Sequence, residues 1–167
     1  MVKNPRQKEK KERLENMDGE EIEGVVRRIP DFGGVFDASK MDRVKILSLP
    51  IMLIININNH WLGLRIEKSK LEIMDSLGNI DNFLSNPKLC CFICAHLLGK
   101  KLIATPKLQS DDSTDCGKYV VCFFWFSVLT GKSLKDFLKL FNSDFKTNSL
   151  NISKIFQTVK KISDSLK

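Results

Sequence analysis

Apolar residues recur along this chain with two different periods, and each period predicts a different kind of element. Residues 43–57 (RVKILSLPIMLIINI) are almost continuously apolar and are divided by Pro50. The half after the proline, IMLIINI, predicts a central strand buried on both faces. Two shorter alternating runs follow, HWLGLRIE (60–67) and LEIMD (71–75), and predict a hairpin that turns at Lys68 and Ser69. In that register Ile66 faces Leu71, Leu64 faces Ile73 and Leu62 faces Asp75. Successive side chains of a strand point to opposite faces. One face is therefore Leu62, Leu64, Ile66, Leu71 and Ile73, which faces a core. The other carries Arg65, Glu67, Lys70 and Glu72. A one-residue slip would mix the two sets, so the pattern fixes the register.

Helical spacing governs the rest. Asn86-Pro87 is a start signal, with Asn86 as N-cap and the helix running to about Leu98 before Gly99. Lys101–Leu108 predicts a further strand. From Cys116 to Leu129 the chain is apolar nearly all round, which predicts a buried central helix ended at Thr130-Gly131. Ser133 with Asp136 forms a capping-box start for a helix over 134–142. Ile152, Ile155, Phe156, Val159 and Ile162 mark a closing amphipathic helix. Near the N-terminus a short IEGVVRR segment ends at Pro30, and FGGVFD (32–37) reads as a glycine-containing loop. This order predicts an α+β domain, a small mixed sheet packed by helices, with one buried helix at the centre.

Composition divides the chain. Residues 1–21 are charge-dense, with basic residues from Lys3 to Arg13 and acidic ones from Glu15, and offer almost nothing to bury. They read as a disordered leader, and 22–167 as one folded domain. The net charge is +7. It fits either a lysine-rich surface or non-specific contact with DNA, and no nucleic-acid-reading motif accompanies it. Five cysteines are an odd number for a disulfide framework, so reduced thiols are expected. The longest apolar run, broken by Pro50, is too short for a bilayer, which needs roughly 20 residues. The polar N-terminus carries no signal-peptide pattern. An intracellular protein without a membrane partner is the expectation.

The hairpin brings two polar residues to one place. His60 and Asp75 extend its apolar face at one end and are diagonal neighbours there. A carboxylate beside an imidazole fixes its tautomer and orientation. The plain alternative is a strand-end histidine and a turn aspartate. Downstream, QSDDSTDCG (109–117) runs from a polar, turn-rich loop straight into the buried helix, placing Cys116 in its first turn. Helix N-termini carry partial positive charge and free N–H groups, which stabilise a thiolate. Gly117 lets backbone crowd close to a substrate. Gln109 can reach back with its amide and, with the Cys116 N–H, hold an oxyanion. The alternative for Cys116 is an ordinary buried thiol. Its place at the helix's polar edge and the separate His–Asp pair argue for a nucleophile.

NNHWLGLRIEKSKLEIMDSLG followed by QSDDSTDCGKYVVCFFW resembles the adenain-like and Ulp1-like cysteine proteases. His60-Trp61, Asp75, Gln109 and Cys116-Gly117 stand in the family's order, and the likeness covers roughly residues 22–142. FGGVFD and the compact Gln-to-Cys spacing look adenain-like, as in adenoviruses and Polinton/Maverick transposons, whereas MDSLG reads equally as Ulp1-like. The resemblance implies a papain-like cysteine protease fold with the nucleophile on the central buried helix. It implies a cysteine-type endopeptidase with a Cys116–His60–Asp75 triad, a Gln109 oxyanion hole, and Trp61 beside the cleft. It further implies cleavage after small, Gly-rich residues of viral or transposon capsid and core precursors, in a host nucleus or virion. No cofactor is needed for the chemistry; DNA or a peptide would act as activator, and a monomer is expected.

The sequence also offers residues for other chemistries. Cys90, Cys91, Cys94 and His96 crowd together, but inside a predicted helix and without a second ligand pair for zinc. A catalytically inactive basic binding module on the same fold is a second reading. A deubiquitinase or SUMO-type isopeptidase is a third, with the same chemistry on a folded ubiquitin-like tail.

Overall fold

The structure is a computed structural model and describes residues 17–79 and 81–166. Most of the segment read as a leader, residues 1–16, lies outside the described residues; the rest of it, Met17 to Glu21, is placed. Asp18 caps helix α1 (Gly19–Val26) by accepting from the Glu21 N–H at 2.8 Å, and Met17 is buried.

Five strands form one mixed sheet in the order β1-β2-β3-β4-β5. They are β1 (Phe32–Asp37), β2 (Ile51–Ile57), β3 (His60–Ile66), β4 (Lys70–Met74) and β5 (Lys101–Ala104). β1 runs parallel to β2 and β4 parallel to β5, while β2, β3 and β4 are joined antiparallel. A 3-10 helix (Ala38–Arg43) follows β1. The remaining helices are α2 (Asp81–Leu84), α3 (Pro87–Leu97), α4 (Cys116–Thr130), α5 (Leu134–Leu138) and α6 (Phe145–Ser165). The expected α+β sheet packed by helices is what forms.

The segment read as a loop is strand β1, which corrects that expectation. Its glycines make the pairing feasible. A Cβ on Gly33 would stand 2.6 Å from Leu53 Cδ2 and 2.7 Å from Ile51 Cδ1, so any other residue would have to displace the β2 side chains on which this edge strand lies. Gly34 has φ +128° at a register shift in the ladder, a bulge conformation closed to other residues.

The hairpin register is the expected one: Leu64 pairs with Ile73 and Ile66 with Leu71. The division of its two faces is the expected one as well. Both faces of the sheet are covered. Leu53, Ile55, Leu62, Leu64, Ile66, Leu71 and Ile73 pack with the 3-10 helix and with Leu89, Phe92 and Ile93 of α3. Met52, Ile54 and Met74 lie on the opposite face under α4. There Gly63 is the close-approach point, since a Cβ would meet Val120 Cγ1 at 2.9 Å. The charges on the second face are partly enclosed. Glu72 is fully buried, with Arg65 Nη1 and Lys70 Nζ each 3.2 Å away and the Leu134 N–H donating at 2.9 Å. A buried carboxylate needs such partners, and here they also fasten the start of α5 to the sheet.

α4 is buried all round, as its composition predicts. Tyr119 to Trp125 are shielded by the sheet, by Ile22, Val25 and Val26 of α1, and by Ile152, Phe156 and Val159 of α6. Trp125 Nε1 donates to the Val25 carbonyl at 3.1 Å, satisfying the one polar atom of that ring. Asn86 caps α3 as expected, and the Ser133/Asp136 capping box opens α5, which stops at Leu138 rather than reaching 142. No described helix is long and apolar enough to cross a membrane.

Candidate active site

The site is assembled where β3 begins, β4 ends and α4 begins. Asn58 and Asn59 both adopt left-handed conformations (φ 51° and 64°) in the two-residue turn between β2 and β3. Asparagine tolerates this region. The turn delivers His60 as the first residue of β3, paired with Ile57. The β3–β4 ladder ends at Gly63 and Met74, so Asp75 leaves the sheet one residue beyond the pairing.

The two side chains meet. His60 Nε2 stands 2.7 Å from Asp75 Oδ1, with His60 8% and Asp75 2% exposed. The carboxylate is held from its own turn, because the Leu77 N–H donates to Oδ1 at 3.0 Å and the Asn79 N–H to Oδ2 at 3.1 Å. Thr105 fastens the backbone of the same residue, its Oγ1 accepting from the Asp75 N–H at 2.9 Å and donating to the Asp75 carbonyl. The other partner of the imidazole is the Cys116 side chain. Burial pushes the His60 pKa down, but the bonds to Asp75 and Cys116 outweigh it and hold the group up at about 9. The nearby carboxylate and a thiolate both favour the imidazolium.

Cys116 is the first residue of α4 and is 4% exposed. Asp115, the N-cap residue, makes no side-chain cap. Its carboxylate instead takes Lys118 Nζ at 2.6 Å and the hydroxyls of Ser113 and Ser149. It therefore leaves the first N–H groups of α4 to other acceptors, and the dipole end of the helix lies at the thiol. The Cys122 thiol contrasts with this: it is fully buried inside α4, and burial pushes its pKa well above the ordinary range.

Gln109 is 3% exposed, and its amide is held at both ends. Ser76 Oγ lies 2.8 Å from Oε1, and Nε2 donates to the Ser113 carbonyl at 3.2 Å. Trp61 is half-buried and donates from Nε1 to the Met17 carbonyl at 2.9 Å. Gly117 is buried, and a Cβ there would meet Met17 Cβ at 3.2 Å, Ile22 Cδ1 at 3.3 Å and Trp61 Cδ1 at 3.4 Å. The space beside Gly117 is thus filled by the protein itself, where the sequence reading left it for a substrate.

Sequence reasoning did not single out Ser76, Thr105, Asp115, Ser149 or Met17 around this site. Ser76 carried a signal, as it follows Asp75 directly. Thr105 and Ser149 carried none, since only the fold brings them here. Among the cysteines near the other histidine, Cys91 and Cys94 are exposed and Cys90 half-buried. Among the described residues no group of three or more His, Cys, Asp or Glu side chains is placed to hold a metal ion.

No protein-family model and no curated protein sequence matches this chain. Solved structures do align with it. The C-terminal Ulp1 protease domain in complex with Smt3, the yeast ortholog of SUMO, superposes over 91% of this chain and 79% of its own length, with TM-score 0.52 and 18% identity. The SUMO protease Ulp1 with its catalytic cysteine oxidised to a sulfinic acid covers 89% and 78%, at TM-score 0.47 and 18% identity. A de-sumoylating protease covers 87% and 77%, at 0.42 and 15%. Such low identity speaks to architecture alone: five mixed strands packed by helices, with one buried helix at the centre, give this chain the fold of the Ulp1 protease domain.

Proposed function

We propose that this chain is a cysteine-type peptidase in which Cys116 is the nucleophile, His60 the general base and acid, and Asp75 the residue that orients His60. The observation that carries the reading is the place of His60, which bridges a buried carboxylate at 2.7 Å and the thiol at the start of a buried helix. A structural histidine has no need of both partners, whereas nucleophilic catalysis needs each of them.

In this scheme Cys116 gives its proton to His60, leaving a thiolate beside an imidazolium. The thiolate attacks the scissile carbonyl carbon, and the carbonyl oxygen becomes an oxyanion. Gln109 Nε2 and the backbone N–H of Cys116 stabilise that charge. The C–N bond then breaks, His60 hands its proton to the leaving amine, and a thioester remains on Cys116. Water, deprotonated by His60, hydrolyses the thioester and restores the thiol.

The substrate is a protein, cut after small, Gly-rich residues. The adenain-like features of FGGVFD and of the Gln109–Cys116 spacing support processing of viral or transposon precursor proteins, with DNA or a peptide as activator. A second reading, removal of a ubiquitin-like tail, is supported by the complex of the yeast Ulp1 domain with Smt3. The test is labelling by a Gly-Gly-ended thiol-reactive peptide probe, with and without DNA. Labelling lost in Cys116→Ala and much reduced in His60→Ala is the expected result. Labelling spread over the exposed Cys91 and Cys94, or none, would sink the assignment. Parallel cleavage assays on a precursor peptide and on a ubiquitin-like fusion separate the two substrates.

A further inference from the structure

We infer that Ser76 is a positioning residue for Gln109, so that the Asp75-Ser76 dipeptide sets both the base and the oxyanion donor of the site. The inference rests on the peptidase reading above for its catalytic consequence, and on geometry for the positioning itself.

The turn after β4 and the segment after β5 are docked on each other along their backbones. Gly78 has φ +61°, and a Cβ there would fall 2.4 Å from the Lys107 nitrogen, so the approach requires glycine. The Ser76 carbonyl accepts from the N–H groups of both Leu108 (2.8 Å) and Gln109 (3.1 Å). The Leu108 carbonyl is fixed from the other side by Asn148 Nδ2 at 3.0 Å and Tyr119 Oη at 3.3 Å. The backbone at Gln109 is thus immobilised before its side chain is considered.

The side chain then has one orientation. The Ser113 carbonyl can only accept, so the amide nitrogen must face it; the reversed amide would set two carbonyl oxygens against each other. That places Oε1 at Ser76, whose hydroxyl donates to it across 2.8 Å. Ser76 is 0% and Gln109 3% exposed, so water does not readily replace this bond. Nε2 carries two N–H groups. Ser113, three residues before the nucleophile, takes one of them, and the other is the oxyanion donor of the proposed scheme. Without the Ser76 hydroxyl, Oε1 is a buried acceptor without its donor, and the amide is free to rotate off this alignment.

The experiment uses the full chain and the variants Ser76→Ala, Gln109→Ala and the double variant. The side-chain amide resonances of Gln109 are identified by their loss in Gln109→Ala. Hydrolysis of a Gly-Gly-ended fluorogenic peptide gives kcat and KM, and alkylation of Cys116 by iodoacetamide across pH reports the thiolate alone. In Ser76→Ala the Gln109 amide signals should move, and kcat should fall about ten- to a hundredfold with KM within about twofold, part of what losing an oxyanion donor costs. The alkylation profile should be unchanged, and the double variant should be no slower than Gln109→Ala. Unmoved amide signals would overturn the positioning. Additive losses, or a shifted alkylation profile, would place Ser76 on the Asp75 side instead and equally overturn it. A wild-type chain that neither hydrolyses the peptide nor alkylates selectively at Cys116 would refute the peptidase reading, while the amide signals still decide the positioning.

Discussion

His60 and Asp75 share a buried 2.7 Å contact although they belong to no common pair of the β3–β4 ladder. His60 is paired to β2, and Asp75 has left the sheet, so the contact is made by side chains across the end of a hairpin. Two backbone N–H groups already hold the carboxylate, which makes Asp75 a fixed arm against which the imidazole is set.

Replacing that arm without changing its shape tests its charge. Asp75→Asn keeps the volume but presents an amide to His60. On the proposed mechanism kcat/KM should fall by on the order of 10² to 10⁴, the upper figure being the loss seen for the corresponding change in a serine-protease triad. Peptide hydrolysis measures it, with circular dichroism to show that the fold is retained. Activity within about threefold of wild type would remove Asp75 from the mechanism.

The raised pKa of His60 has a signed consequence. The folded state favours the imidazolium, because its pKa of about 9 lies above the ordinary 6.5. Its contribution to stability is therefore fully present below about 6.5 and is lost as pH rises through about 9. Activity should follow the same limb, since above about 9 the proton needed by the leaving amine is gone. A pH profile of kcat should show an alkaline fall near 9, moved to lower pH in Asp75→Asn. An alkaline limb that the variant leaves in place would assign it to another group.

Gly63 tests the contact between sheet and central helix. A Cβ there meets Val120 Cγ1 at 2.9 Å and Phe124 Cε1 at 3.1 Å, both fully buried. Overpacking of this kind costs roughly 1–3 kcal/mol. Gly63→Ala should lower the midpoint of urea unfolding accordingly, and an unchanged midpoint would mean that the layer spacing is loose.

Glu72 tests the enclosed charge. Glu72→Ala leaves Arg65 and Lys70 without their buried partner and removes the acceptor for the Leu134 N–H. Breaking a buried pair in this way costs about 3 kcal/mol or more. Equilibrium denaturation measures the loss; a change under about 0.5 kcal/mol would show Glu72 to be effectively solvated.

What the sequence by itself determined was local and periodic. Alternation of Leu62, Leu64 and Ile66 with Arg65 gave the hairpin register, because a slip would have exchanged apolar for charged residues. The Asn86-Pro87 and Ser133/Asp136 signals gave helix starts, since capping uses residues within one turn. The all-apolar run from Tyr119 gave the central helix, and the order of His60, Asp75, Gln109 and Cys116 pointed to one kind of chemistry. Tertiary structure decided what depends on residues far apart in the chain. FGGVFD is a strand because β2 offers it an edge and Gly33 lets it approach. Glu72 is buried because α5 starts over it. Gln109 points one way because Ser76, 33 residues before it, meets it across two docked turns. Such contacts leave no period in the sequence, because the hydrogen bonds that fix them form only once the backbone has brought their ends together.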